Sequence, residues 1–258
     1  MKAIVKIKKK KKATQILLFE AAVFLSIFST SLAVHASKGG IVLPAGLSDS
    51  PLSFIFLLAL LSLAPFFLVV TTSFLKITVV LGLLRSALGT PRVPPTMVIT
   101  GLAMALTVVV MAPTASKVAS VVEKGLSTDS LKTKDVIDVA RKAKEPIKAF
   151  LSAHAHKDAV DVIYKIAERA RPDTEIKRSD LMVVIPAFIL SELKEAFLIG
   201  FVIFLPFLVL DLVVANVLLA LGMHMLSPTT VSLPFKLLLF VAVDGWTMII
   251  KGLLEGYL

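Results

Sequence analysis

The apolar residues of this chain fall in runs too long for a half-buried helix of a soluble domain, and charges interrupt most of them. Leu52 to Leu75 is almost wholly apolar; Lys76 interrupts it, and Ile77 to Leu84 resumes until Arg85. A second run covers Met97 to Ala112, between Pro95 and Pro113. A third covers Leu181 to Leu226, interrupted by Glu192, Lys194, Glu195 and Asp211. A fourth covers Val231 to Leu254, interrupted by Lys236, Asp244 and Lys251. A membrane-crossing helix needs about 20 apolar residues, so the lengths provide four spans. Charge inside an apolar helix is costly and faces protein or water rather than lipid. Lys76, Asp211, Lys236 and Asp244 therefore predict helices that pack on other helices, in this chain or in neighbouring copies. Pro65, Pro113, Pro186 and Pro206 predict interruptions and kinks, since proline removes a backbone donor. Gly82, Gly101, Gly200, Gly222 and Ser191 are small enough for close helix crossings. An ordinary irregular four-helix membrane protein fits the same pattern.

The first residues read as an address. Seven lysines crowd residues 1–12, Ile16 to Phe28 is mostly apolar apart from Glu20, and Val34-His35-Ala36 offers small residues for cleavage before Ser37. That is the grammar of a secretory signal peptide over 1–36, followed by a flexible stretch over 37–51. An uncleaved anchor and a misplaced start codon are the alternatives. The net charge of +10 is concentrated in this leader, which holds +6 of it, so the remainder is poorly suited to nucleic acid. The absence of cysteine excludes a disulfide scaffold, a thiol enzyme and a cysteine-based zinc site.

The remainder divides into a first apolar helical pair at 52–113, a polar insert at 114–179 and a second apolar pair at 180–258. The insert carries 14 Lys/Arg and 10 Asp/Glu. Val136, Ala140, Ala143, Ile147, Phe150 and Leu151 form a helical stripe, with Pro146 either kinking it or opening a second helix; Val160, Ile163, Tyr164 and Ala167 form another. So small a unit cannot bury much core and is expected to lean on the apolar pairs or on neighbouring copies. Counting positive charge places it in the cytoplasm. The signal peptide, and the short loop carrying Arg85 and Arg92 without an acid, place it in the periplasm. The second placement is preferred, because the rule weakens for loops this long.

No Gly-rich phosphate loop, His-Glu-x-x-His or Gly-x-Ser-x-Gly is present. His154 and His156, two apart, would point about 200° apart on a helix and could not share a metal. Ser191-Glu192 has no histidine near it in sequence to complete a nucleophile. Gly222-Met223-His224-Met225-Leu226-Ser227-Pro228 is more informative. Methionine is unbranched and adaptable. Repeated around a ring of copies, two such residues make a soft constriction that gates by excluding water; within one chain they can equally be core filler.

At this point the residues carry a resemblance. Thr72-Ser73-Phe74, Leu83 through Pro91, Pro94-Pro95, Met111-Ala112-Pro113 and Leu181 through Lys194 are similar to the FliP/SctR family. So are Ala196-Phe197, Ile199-Gly200-Phe201, Pro206-Phe207, Asp211-Leu212-Val213, Leu219 through Met223, Leu233 through Leu237 and Val243 through Trp246. These cover most of residues 52–250 in order. The family forms the core export gate of flagellar and virulence type III secretion systems. The resemblance implies a pentameric ring assembled with FliQ/SctS-like and FliR/SctT-like subunits and surrounded by membrane lipid. The assembly is all-α, its apolar hairpins buried on neighbours, standing largely on the periplasmic side of the bacterial inner membrane. It implies a pore for unfolded secreted proteins, closed by a methionine-rich constriction that aligns with Met223, His224 and Met225. Where members commonly have three methionines, this chain has His224; a charged ring would be wetter and leak, so His224 is expected to be neutral or turned out of the seal. It implies a pairing of Asp211 with Lys236, similar contacts for Glu192 and Lys194 across a subunit seam, and Asp244 among the conserved motifs. Arg85 serves as a topology signal or a contact.

The resulting expectation is a non-enzymatic channel subunit without cofactor, metal or nucleic acid. A small-solute secondary transporter is the alternative; it would need an internal repeat of broken helices, which the two halves do not show. Ser227 through Leu233 reads more like the virulence branch, the leader more like the flagellar one, and the balance tips to virulence.

Overall fold

The break points of the apolar runs decide how the chain packs. A computed structural model describes residues 62–63, 65–90, 93–126, 133–173 and 175–257. The leader, the 37–51 stretch, most of the first half of the first apolar run and Arg92 lie outside them. Contacts divide the chain into residues 1–65 and 66–258, and the second unit is the one described below. Its helices are α1 (Phe74–Ala87), α2 (Thr96–Leu126), α3 (Thr133–His154), α4 (Lys157–Ala170), α5 (Leu181–Ala220), α6 (Pro228–Ala242) and α7 (Gly245–Glu255). Among the described residues there is no strand.

The first apolar run does not continue straight into α1. A short helix, Pro65–Thr71, meets α1 at 80°. The Thr72 hydroxyl donates to the Leu68 carbonyl (2.6 Å) and accepts from the Phe74 N–H (3.3 Å). A hydroxyl that competes for backbone groups in this way favours a bend. α2 runs through Pro113, α3 through Pro146, and α5 through both Pro186 and Pro206, so none of these prolines ends its helix. A proline forfeits one hydrogen bond, and the turns on either side hold the helix together. Consequently the boundary expected at 113/114 falls inside one 31-residue helix.

The second break lies at Val243–Asp244, where α6 and α7 meet at 61°. Asp244 sits in the left-handed region (φ 49°, ψ 51°). Aspartate tolerates that conformation because its short polar side chain can bond locally. Gly245 then has no room for a side chain: a Cβ there would lie 2.2 Å from the Phe240 ring.

α1 is the centre of the bundle. Ile77, Val80, Leu81, Leu84 and Ala87 are buried at helical spacing. They pack with Ile99, Ala103 and Leu106 of α2, Ala196 and Phe207 of α5, Phe240 of α6 and Leu253 of α7. Each large apolar side chain buried there contributes about 1.5–3 kcal/mol. Gly200 brings α5 close to α1, since a Cβ on it would lie 2.2 Å from Leu83 Cδ1. The polar insert borrows its core. Phe150 and Leu151 of α3 are buried with Val184 and Phe188 of α5, and Val110 and Met111 of α2 close the side. Among the described residues α2 and α5 are each long and apolar enough to cross a membrane, and the count rises to four if each of the two bent pairs is one span. At 1.5 Å per residue the 40-residue α5 extends about 60 Å, twice the hydrocarbon thickness of about 30 Å. Phe197, Leu198, Phe201, Val202, Leu212 and Val213 along it are exposed on the single chain. This is an all-α membrane protein whose longest helix presents much of its apolar surface outward.

Candidate functional site

Three features concentrate the chemistry of the described residues: a buried charge network, a second ion pair, and an exposed turn.

The network is built on α1 and α5. Lys76 is 1% exposed and faces α5, where Glu192 and Glu195 stand three residues apart on one side of the helix. Its Nζ lies 2.7 Å from Glu195 Oε2 and 3.6 Å from Glu192 Oε1. Glu192 is fully buried and accepts the Tyr257 phenol at its other oxygen. The Lys76 ammonium also lies 3.9 Å from the centre of the Tyr257 ring, a cation–π contact. Glu195 turns its second oxygen to His156 Nε2 at 2.7 Å. Two carboxylates thus share one buried ammonium, and each has a further partner. Burial, with the adjacent Glu192 carboxylate, pushes the Tyr257 phenol far above its ordinary range, so it remains a donor.

The two insert histidines are not on one helix. A break falls between them: His154 ends α3, and His156, with extended backbone (ψ 137°), caps α4. His154 Nδ1 donates back to the Phe150 carbonyl at 2.8 Å. The His156 N–H donates to Ser191 Oγ at 2.8 Å, and that hydroxyl donates to the Ala187 carbonyl at 2.7 Å. Ser191 therefore has a histidine beside it after all, but it meets that residue's backbone. Among the described residues no group of three His, Cys, Asp or Glu is placed to hold a metal.

The second ion pair joins α5 to α6. Lys236 Nζ lies 2.6 Å from Asp211 Oδ2 and 3.4 Å from the Ala87 carbonyl, while the Ser232 hydroxyl donates to Asp211 Oδ1. The lysine is buried and the aspartate half-buried. This pair closes within one chain, through residues 25 apart in sequence. Lys194 and Asp244 are each exposed on the single chain, Lys194 beside His156 and Ser191. Arg85, in the last turn of α1, donates to Thr96 Oγ1 at 3.0 Å and so ties α1 to the start of α2.

The turn after α5 is a Schellman motif. Gly222 takes φ +72°, its N–H bonds the Leu219 carbonyl at 3.0 Å, and the Met223 N–H bonds the Leu218 carbonyl at 2.9 Å. Only a residue free of Cβ strain adopts that φ readily. Ser227 and Pro228 then start α6, with proline where its missing N–H costs nothing. Between these two ends Met223, His224 and Met225 are all exposed, and Met225 is 98% exposed. They are not core filler of this chain.

Reading the sequence alone missed the partners of Lys76, namely Glu195 and Tyr257, and the seat of His156 on Ser191. The signal for the first was available: a lone lysine in an apolar run requires acids on a facing helix, and Glu192 and Glu195 share a face. Tyr257 carried no signal.

The FliP family profile matches residues 57–253. The "Flagellar biosynthetic protein FliP" of Bacillus subtilis (strain 168) is 41% identical over 235 residues, 91% of this chain and 99% of that protein. The "Harpin secretion protein HrcR" of Erwinia amylovora is 43% identical over 215 residues, 81% of this chain and 97% of that protein. The "Pathogenicity-related ORF2" of Xanthomonas campestris pv. glycines is 44% identical over 203 residues, 77% of this chain and 93% of that protein. Flagellar and virulence relatives thus stand at similar distances.

Proposed function

Since this chain belongs to the FliP family, we propose that it is the pore-forming subunit of an export apparatus, conducting unfolded proteins through a methionine-rich gate. It is a membrane-embedded structural component of a flagellar or type III secretion apparatus and works with other subunits of that apparatus. In the finer reading the chain forms a pentameric ring with FliQ/SctS-like and FliR/SctT-like neighbours in the bacterial inner membrane. Much of the ring stands on the periplasmic side, where α3 and α4 face. The turn at Met223, His224 and Met225 from each copy converges on the axis.

The observation that supports this reading most is the exposure of that turn. Two methionines and a histidine project from a rigid Schellman cap, and Met225 is 98% exposed. Neighbouring copies would cover such residues, and a ring of them excludes water from a pore. The outward apolar surface of α5 is the second support, because copies packed side by side would bury it. The test is the native mass of the detergent-purified protein co-expressed with its two small apolar neighbours. A pentamer carrying those partners supports the reading; a monomer or dimer without them overturns it.

A further inference from the structure

In the segment that follows α7, the Tyr257 side chain meets three helices at once. Tyr257 donates its phenol to Glu192 of α5. Its ring lies under the Lys76 ammonium of α1 at 3.9 Å. The same ring stacks on Phe150 of α3 (centroids 6.3 Å apart, planes at 16°) and tilts against His154 (5.1 Å). α7 buries Gly245 and Leu253 and rests Ile249, Ile250 and Leu254 on the α1 core, which brings Tyr257 to the insert. His156 also attaches the insert to the bundle at this level, on Ser191 and Glu195. We infer that Gly256–Tyr257 is a strap that fastens the polar insert to the membrane-spanning helices through Tyr257. When the strap releases, the end of α3 and the α3–α4 junction open together while α1 and α2 stay packed.

The physical basis is the division of the core. The α1–α2 contacts at Ile99, Ala103 and Leu106 belong to one apolar cluster and Phe150, Leu151 and Phe188 to the other, with Tyr257 packed against the second only. Local openings follow such divisions, and a region held by few contacts opens at lower free energy than the whole. Each contact of the strap has a separable part. Phenylalanine keeps the ring on Lys76 and Phe150 but leaves the buried Glu192 oxygen without its donor. Alanine removes both.

The test is hydrogen exchange by mass spectrometry on the full-length protein, comparing residues 147–156 with residues 99–106. Tyr257→Phe is expected to raise exchange in 147–156 about fivefold relative to 99–106, as loss of one such hydrogen bond implies. Tyr257→Ala is expected to raise it further. An unchanged ratio in Tyr257→Phe, or a rise shared equally by both regions, overturns the strap. If the alanine variant does not fold, the phenylalanine variant decides alone.

Discussion

Replacing Lys76 with methionine probes the most heavily loaded point of the fold. The side chain is 1% exposed and stands 2.7 Å from Glu195 and 3.6 Å from Glu192. Methionine keeps most of the volume and removes the charge. Two carboxylates of α5 are then left at the α1–α5 contact without their shared cation, one of them fully buried. Breaking a buried ion pair by deleting one partner costs about 3–5 kcal/mol, since the remaining charge is left uncompensated. Tyr257 still donates to Glu192 and His156 to Glu195, which places the expected loss near the lower end, about 3 kcal/mol. Denaturant titration of the detergent-purified protein, followed by far-ultraviolet circular dichroism, measures it. Adding Glu192→Gln to the variant removes the uncompensated charge and should restore at least half of the loss, a coupling that a double-mutant cycle isolates. A Lys76→Met loss below about 1 kcal/mol, or no recovery in the double variant, would refute the claim that this ammonium balances two acids.

Two further predictions rest on separate parts of the chain. Gly245→Ala puts a Cβ 2.2 Å from the Phe240 ring, against which the single tryptophan, Trp246, packs edge-on at 5.4 Å; a shifted Trp246 emission and a loss of about 1–3 kcal/mol are expected from such overpacking, and an unchanged spectrum with unchanged stability counts against the tight bend. His224→Met should lower ion leak through reconstituted complexes, because an apolar ring excludes water better than a polar one; identical leak for the two proteins removes His224 from the seal.

How far the sequence could be read depends on what each residue needs. Apolar runs and the charges inside them carry their own energetic demand, so the all-α membrane character and the importance of Lys76, Glu192, Asp211 and Lys236 were visible. The end of α5 was visible too, because Gly222 and Pro228 are chemically suited to a cap and a start. The two sharp bends were not visible. Prolines announce themselves, yet α2 and α5 absorb theirs within long stretches of intact turns. The bends fall instead at Thr72–Ser73, where a hydroxyl competes for backbone groups, and at Asp244, where a left-handed residue sits before a crowded glycine. Both bends rest on contacts within a few residues, a hydroxyl on Leu68 and Phe74 and a glycine against Phe240, that leave no mark in the apolar periodicity. Tyr257 is the same kind of case: an isolated aromatic after a helix has no periodicity, and its value comes wholly from Lys76, Phe150 and Glu192, which are distant in sequence.

The central claim is that the turn after α5 meets its counterparts from other copies at a pore. The chain contains no cysteine, so Met225→Cys places a single thiol on that turn. A disulfide requires Cβ atoms about 4 Å apart, a distance that copies reach only where their turns converge. Oxidation of the assembled complex in membranes is predicted to yield dimers joined through residue 225, with no such product from the cysteine-free parent. Absence of the Met225→Cys dimer in complexes that assemble normally would contradict the gate.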